Sequence, residues 1–135
     1  MKGTAGRIVL IAAAAFGCAA LLPIVAASRP AAKGDPDPRE IRLVAREMAF
    51  FVDGDATANP TLTLKAGERV RLVLRNEDAG MTHDFAINAW KIGTKTLTAK
   101  GAETAVVFHV PDERGTTPYQ CTPHAQMMRG SVQVE

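Results

Sequence analysis

The chain has 135 residues, with 16 Lys and Arg against 14 Asp and Glu, and two cysteines. This length allows one ordinary domain with a short appendage, and 47% hydrophobic with 22% charged residues excludes a disordered polyelectrolyte. A formal net charge of +2 is too small for a dedicated nucleic-acid-binding protein, so we expect no nucleic-acid partner.

The N-terminal segment, residues 1–27, is predicted to be a signal peptide or a membrane anchor rather than part of the fold. Lys2 and Arg7 precede an uncharged run over residues 8–27, and small residues end that run. A basic start, an apolar stretch and a small-residue exit are typical of a secretory signal peptide, and the break at Pro23 favours cleavage. The run is also long enough to cross a bilayer, so an uncleaved membrane tether is the alternative. Both interpretations predict that the remainder is exported, to the periplasm or another extracytoplasmic compartment.

The composition of the chain changes when residues 1–27 are set aside. Loss of Lys2 and Arg7 leaves 14 basic and 14 acidic residues, so the exported part has no formal net charge. Cys18 is lost as well, and Cys121 is then the one cysteine left. An intramolecular disulfide is therefore excluded for the exported part. A lone thiol in an oxidising compartment is open to oxidation unless something occupies it, which makes Cys121 a functional clue.

The exported part is predicted to be a tether, residues 28–39, followed by a β-domain, residues 40–135. The tether is rich in Pro and Gly and has no apolar period. Strands are predicted over residues 41–46, 61–64, 69–75, 83–87, 94–98, 103–110, 119–121 and 131–134. In the clearest strand Val70, Leu72 and Leu74 share a buried face, and the arginines between them form a solvated face. Seven to eight short strands without a helical period predict an all-β Greek-key β-sandwich or barrel.

The loop between the last two predicted strands concentrates metal-binding chemistry. Cys121, His124, Met127 and Met128 lie within eight residues of one another. Thiolate and thioether ligands combined with imidazole select copper, especially Cu(I). A structural zinc site would need four Cys or His ligands, which this loop lacks. A catalytic Cys–His pair is the other alternative, but side chains on one tight loop are better placed to converge on a metal.

A second histidine is needed for such a site, and the sequence offers His83 and His109. His83 opens a predicted strand directly after a loop, where its side chain can point into a site. His109 lies in the middle of a strand, in the register that faces away from the apolar side chains. We therefore predict that His83 is a metal ligand and that His109 is a surface residue.

These residues resemble the cupredoxins, the type 1 or blue copper proteins, over roughly residues 40–135. The stretch from Tyr119 to the last residue is similar to amicyanin and pseudoazurin, and the region before His83 is similar to plastocyanin. The resemblance implies one mononuclear type 1 copper ion as cofactor. It also implies that His83, Cys121 and His124 are equatorial ligands and that a methionine is a weak axial ligand.

The axial ligand implied by the resemblance is either Met128 or Met127. Met128 stands two residues before a glycine, the usual spacing in this family, and we prefer it. Amicyanin-like loops place the methionine three residues after the histidine, which would be Met127. The resemblance further implies a hydrogen bond that fixes His83, with Asn76 as the candidate residue. Asp84 is expected to point to solvent, with tuning of the neighbouring histidine as the alternative.

The resemblance implies an electron carrier and not an enzyme. His124 is flanked by apolar residues and would present its ring edge through an apolar patch, a docking face for a redox partner. Expected partners are a c-type cytochrome or a membrane or periplasmic oxidoreductase, and the protein is expected to be a monomer. The alternative is a periplasmic copper-handling protein for trafficking, storage or resistance. An oxidase would need further copper ligands, and three histidines supply too few.

Overall fold

The structure, a computed structural model, describes residues 36–135, so the predicted signal or anchor segment and most of the predicted tether lie outside the described residues. Within this range the chain forms nine strands and one 3₁₀ turn, Asn88–Trp90. The strands are β1 Arg39–Arg46, β2 Ala49–Val52, β3 Thr61–Leu64, β4 Arg69–Asn76, β5 Ala86–Ile87, β6 Ile92–Gly93, β7 Glu103–His109, β8 Gly115–Gln120 and β9 Arg129–Val134. No helix in residues 36–135 has the length and apolar character of a membrane span.

The strands form a four-stranded sheet in the order β2-β1-β4-β7 and a five-stranded sheet in the order β3-β9-β8-β5-β6. Neighbouring strands are antiparallel except for two parallel pairs, β1 with β4 and β3 with β9. The chain changes sheet at most of its connections, and side chains from both sheets share one buried cluster. The predicted all-β Greek-key sandwich is confirmed, with nine strands in the described range instead of seven or eight.

The alternation of apolar and charged side chains that was predicted for residues 69–75 is present in β4. Val70, Leu72 and Leu74 lie in the core, while the arginines of the same strand lie on the outer face. Arg71 pairs there with Glu40 at 2.7 Å. Because such ion pairs are well exposed to solvent, they contribute little to stability. The outer face is therefore a solvated sheet surface, as predicted.

Apart from differences in strand bounds, three segments differ from the sequence prediction: β2 and β6 are additional strands, and one predicted strand is missing. β2 was not predicted, because the turn before it contains Glu47 and Met48, with φ of 52° and 59°. Tight hairpin turns of this kind are ordinarily signalled by Asn or Gly, so this one carries no recognisable signal. The strand predicted over residues 94–98 is not formed, and Leu97 alone makes an isolated bridge, with His83.

An aromatic cluster joins the two segments that lead to the predicted ligands. The Tyr119 ring stacks on Phe85 at a centroid distance of 5.2 Å and meets the edge of Phe50 at 5.5 Å. The Tyr119 hydroxyl donates a hydrogen bond to the Pro60 carbonyl oxygen at 2.6 Å, and burial raises the pKa of this phenol. Buried tyrosines normally find such a partner for their hydroxyl group. The cluster thus fixes β8, which precedes Cys121, against the segment that follows His83.

Candidate metal centre

Three of the predicted ligands come together at one end of the sandwich. His83, Cys121 and His124 form a group whose ligand atoms all lie within 4.8 Å of one another. The Cys121 Sγ atom is 3.8 Å from His83 Nδ1 and 3.6 Å from His124 Nδ1. Both imidazoles therefore turn the same ring nitrogen, Nδ1, toward the thiol. His109, by contrast, is exposed on β7 and lies outside the group.

Backbone hydrogen bonds hold the three side chains in place. His83 exchanges two hydrogen bonds with Leu97, at 2.9 and 2.7 Å, so its backbone is fixed although it lies outside the main strands. At the other side of the site, the Cys121 N–H donates to the Met128 carbonyl at 2.9 Å and closes the ligand loop, residues 121–128. Inside the loop, the His124 N–H donates to the Cys121 carbonyl at 3.2 Å. The loop is thus a closed turn carried by the β8–β9 hairpin.

The environment of Cys121 favours the protonated thiol as long as no metal is bound. Its side chain is buried, and burial raises the pKa of the thiol above its ordinary value. The backbone N–H groups of Asp84 and His124 point at the sulfur and lower the pKa, while the charge of Asp84 raises it. Desolvation is the largest of these effects. Because a metal ligand must be the thiolate, a bound cation would supply the missing charge compensation.

The two candidate axial methionines differ sharply in burial. Met128 is fully buried in the core cluster, whereas Met127 is 57% exposed. Both N–H groups donate to the His124 carbonyl, at 3.0 Å for Met127 and 2.9 Å for Met128. A thioether ligand would have to reach a metal held by His83 and Cys121, whose side chains are fully buried. Burial therefore favours Met128, whose ligation stays a prediction.

Replacing Met128 by leucine is expected to change the visible spectrum of the copper protein and to raise its reduction potential. The weak axial thioether tunes the potential of such sites, and leucine cannot replace it as a donor. Because leucine fills a similar volume, the free energy of unfolding should fall by less than about 1.5 kcal/mol. Visible absorption and voltammetry measure both effects. Met127→Leu is the matched control, and a larger shift in that variant would contradict the assignment.

The residue that holds His83 is Asp78, where the sequence pointed to Asn76. The Asp78 Oδ2 atom lies 3.0 Å from His83 Nε2, on the side of the ring opposite to Cys121. Asn76 makes no hydrogen bond with His83; its amide donates to the Met81 carbonyl at 3.0 Å and accepts from the Asp78 N–H at 2.9 Å. Asn76 therefore shapes the loop that positions Asp78. Sequence reasoning missed Asp78 because a polar loop residue carries no periodicity that marks it.

Asp84 does not simply point to solvent, as the sequence suggested. Its Oδ1 atom accepts a hydrogen bond from the Thr122 N–H at 2.6 Å, which ties the segment around His83 to the ligand loop. A second tie comes from Asn59, whose amide donates to the Met127 carbonyl at 3.0 Å. The ligand loop is thus held by two connecting segments outside its own hairpin, one before β3 and one before β5. This leaves it little freedom to rearrange.

The donor set fits copper better than the other common metals. One thiolate and two imidazoles, with a buried thioether beside them, are the ligands of type 1 copper sites. A structural zinc site would require a fourth Cys or His, and no such residue joins the group within residues 36–135. Exposed carboxylates, which magnesium or calcium would need, do not enter the group either. The chemistry of the site therefore matches the copper predicted from the sequence.

Comparisons with known proteins agree with this site. Residues 37–135 match the profile of a family described as copper binding proteins, plastocyanin/azurin family. The fold is similar to auracyanin A, a blue copper protein of Chloroflexus aurantiacus, with 19% identity, a TM-score of 0.55 and coverage of 73% of this chain and 99% of that chain. It is also similar to the McoA multicopper oxidase of Aquifex aeolicus, with 16% identity, a TM-score of 0.59 and coverage of 75% of this chain but 27% of that chain. At these identities both structures support the fold alone. No curated protein sequence matches the chain.

Proposed function

Because the chain belongs to the plastocyanin/azurin family of copper-binding proteins, the cupredoxins, we propose that it carries single electrons between redox partners. Its cofactor is one mononuclear type 1 copper ion, which when bound cycles between Cu(I) and Cu(II). The observation that carries the proposal is the convergence of His83, Cys121 and His124, with ligand atoms within 4.8 Å of one another. This donor set suits both oxidation states of copper.

The rigidity of the site supports electron transfer. Fast transfer requires that the ligands move little between the two oxidation states. Here the ligand loop is closed by the hydrogen bond from Cys121 to Met128 and is tied to two other segments of the chain by Asp84 and Asn59. His83 is fixed by its backbone bridge and by Asp78. The protein thus supplies a prearranged set of donors.

The surface around His124 supports a docking role. His83 and Cys121 are fully buried, whereas His124 is half-buried and so is the ligand nearest to solvent. Residues 122–127 line a depression there, and Met127 is one of two strongly exposed large hydrophobic side chains within residues 36–135. A small apolar patch around a ligand edge suits transient contact with a redox protein. We assign this face to a c-type cytochrome or a membrane or periplasmic oxidoreductase.

The proposal also includes a cellular location and an oligomeric state. Export by residues 1–27 would place a monomeric carrier in the periplasm, free or tethered. A catalytic role is not part of the proposal, because the one His/Cys/Asp/Glu group of ligand geometry in the described part of the chain offers donors for a single metal ion. The structural likeness to a multicopper oxidase covers 27% of that larger chain. Oxidases of that kind need additional copper ions.

Visible spectroscopy and voltammetry test the proposed function. Oxidised protein with one equivalent of copper is expected to be intensely blue and to show a reversible one-electron couple. A copper-handling protein, the alternative, would bind Cu(I) tightly without such a couple. A colourless Cu(II) form would contradict both the type 1 site and the carrier function.

A further inference from the structure

The Asp78 carboxylate is an unusual feature of the copper site, because it is mostly buried and contacts a ligand. Its side chain is 20% exposed and lies against His83, which is fully buried. The Oδ2 atom is 3.0 Å from His83 Nε2, and the Oδ1 atom accepts a hydrogen bond from the Glu47 N–H at 3.1 Å. Both oxygens of this carboxylate are thus used as acceptors.

Two further contacts hold Asp78 in this position. Its N–H donates to Asn76 Oδ1 at 2.9 Å, and the N–H of the preceding residue, Glu77, donates to the Ala45 carbonyl at 2.9 Å. The Glu47 N–H belongs to the β1–β2 turn, in which two non-glycine residues have positive φ. Such a backbone is strained and persists where the surroundings determine it. The turn therefore presents a fixed donor to the carboxylate.

No Lys or Arg side chain within residues 36–135 forms an ion pair with this carboxylate. Arg46, Arg75 and Lys100 line the same surface depression as Asp78. However, Arg75 is paired with Glu77 at 2.6 Å and Asp53 at 3.7 Å. Within residues 36–135 the ion-pair partner of Asp78 is His83.

We propose that the Asp78 carboxylate stabilises Cu(II) relative to Cu(I) through His83 and so holds the reduction potential of the site down. An ionised carboxylate only accepts hydrogen bonds, so the proton of the ring stays on Nε2 and the Nδ1 lone pair faces Cys121. A carboxylate on the outer nitrogen makes an imidazole a more basic ligand. Cu(II) carries one more positive charge than Cu(I), so it gains more from this ligand and from the nearby negative charge. Asp78 is a positioning and tuning residue, and its role rests on the proposed copper site.

Copper affinities of the Asp78→Asn variant test this inference. Asparagine keeps the size of the side chain and removes its charge. Competition with chelators for Cu(I) and for Cu(II) should show that Cu(II) binding weakens at least tenfold more than Cu(I) binding. A tenfold change in this ratio corresponds to a rise of about 59 mV in the one-electron potential. Glu77→Gln removes the neighbouring charge, which does not contact His83, and should leave the ratio within about twofold of wild type.

Two additional measurements separate tuning from a merely structural role. In copper-free protein, nitrogen NMR of the His83 ring should show a proton on Nε2 that exchanges slowly, and Asp78→Ala should speed its exchange. Asp78→Glu, which retains the charge, should restore part of the wild-type affinity ratio. The inference is overturned if Asp78→Asn and Glu77→Gln change the ratio equally, or if Asp78→Glu behaves like Asp78→Asn. A wild-type protein without a reversible couple would contradict electron transfer, while the affinity ratio would still decide the role of Asp78.

Discussion

Replacing Cys121 by serine is expected to abolish the intense visible absorption of the copper protein. The absorption of a type 1 site depends on its copper–thiolate bond, and a serine hydroxyl does not ionise to replace it at neutral pH. Cu(I) affinity should fall by orders of magnitude, because the soft thiolate is the donor that selects Cu(I). Copper titration followed by visible absorption, with chelator competition for Cu(I), measures both losses.

The second cysteine of the chain provides the control for this prediction. In full-length protein that retains residues 1–27, Cys18→Ser removes a thiol from the predicted export segment and should leave the spectrum and the affinity unchanged. The copper-free Cys121→Ser protein should also unfold close to the copper-free wild type, since serine fits the space of the buried thiol. A blue Cys121→Ser protein would show that the copper lies elsewhere.

Gly130→Ala is expected to lower the free energy of unfolding by about 3 kcal/mol, the upper range for an overpacked core. Gly130 lies opposite Tyr119 in the β8–β9 pair, and a Cβ atom there would overlap the tyrosine ring. The ring has no room to withdraw, because it is packed between Phe50 and Phe85 and its hydroxyl is bonded to Pro60. β9 would then shift away from β8, and Met128, two residues earlier, would shift with it. Urea denaturation of copper-free protein gives the change in stability.

Gly93→Ala is the matched control for Gly130→Ala. A Cβ atom at Gly93 would meet the Phe85 carbonyl oxygen at 3.6 Å, an ordinary contact. Gly93 also lies in a strand of the same sheet as Gly130, and neither residue has a positive φ. We expect a loss of less than about 1 kcal/mol for this variant. Equal midpoints for the two variants would contradict the role assigned to the Tyr119 contact.

The ligands on one loop could be predicted from the sequence, because their chemistry is local in the chain. Cys121, His124 and Met128 lie within eight residues, and soft donors that close together have few other uses. The main strands were predictable for a similar reason, since the alternation of Val70, Leu72 and Leu74 reflects one buried face. Choosing His83 over His109 required only the position of each histidine relative to its strand.

What the sequence could not provide depends on contacts between distant segments. Asp78 contacts His83 only because Asn76 and the Glu47 N–H hold its loop in one shape. No pattern of residue types encodes that shape. The hydrogen bond that fixes His83 was therefore predicted for Asn76, whereas Asp78 makes it. The strand β2 could not be predicted for a related reason, because Glu47 and Met48 in the turn before it adopt a backbone conformation that favours glycine. Contacts between distant segments thus determine both the position of Asp78 and the formation of β2.

The parallel pairing of β3 with β9 is one of the long-range contacts on which the fold around the copper site depends. It joins residues as far apart in the chain as Thr61 and Ser131, whose side chains meet across 70 positions. Contacts of such long range carry a large loop-closure entropy, and folds that depend on them fold in milliseconds to seconds rather than microseconds. A long-range contact also brings the donors together, because His83 and Cys121 lie 38 positions apart in the chain. Copper that binds this donor set therefore binds the folded chain and stabilises it by mass action.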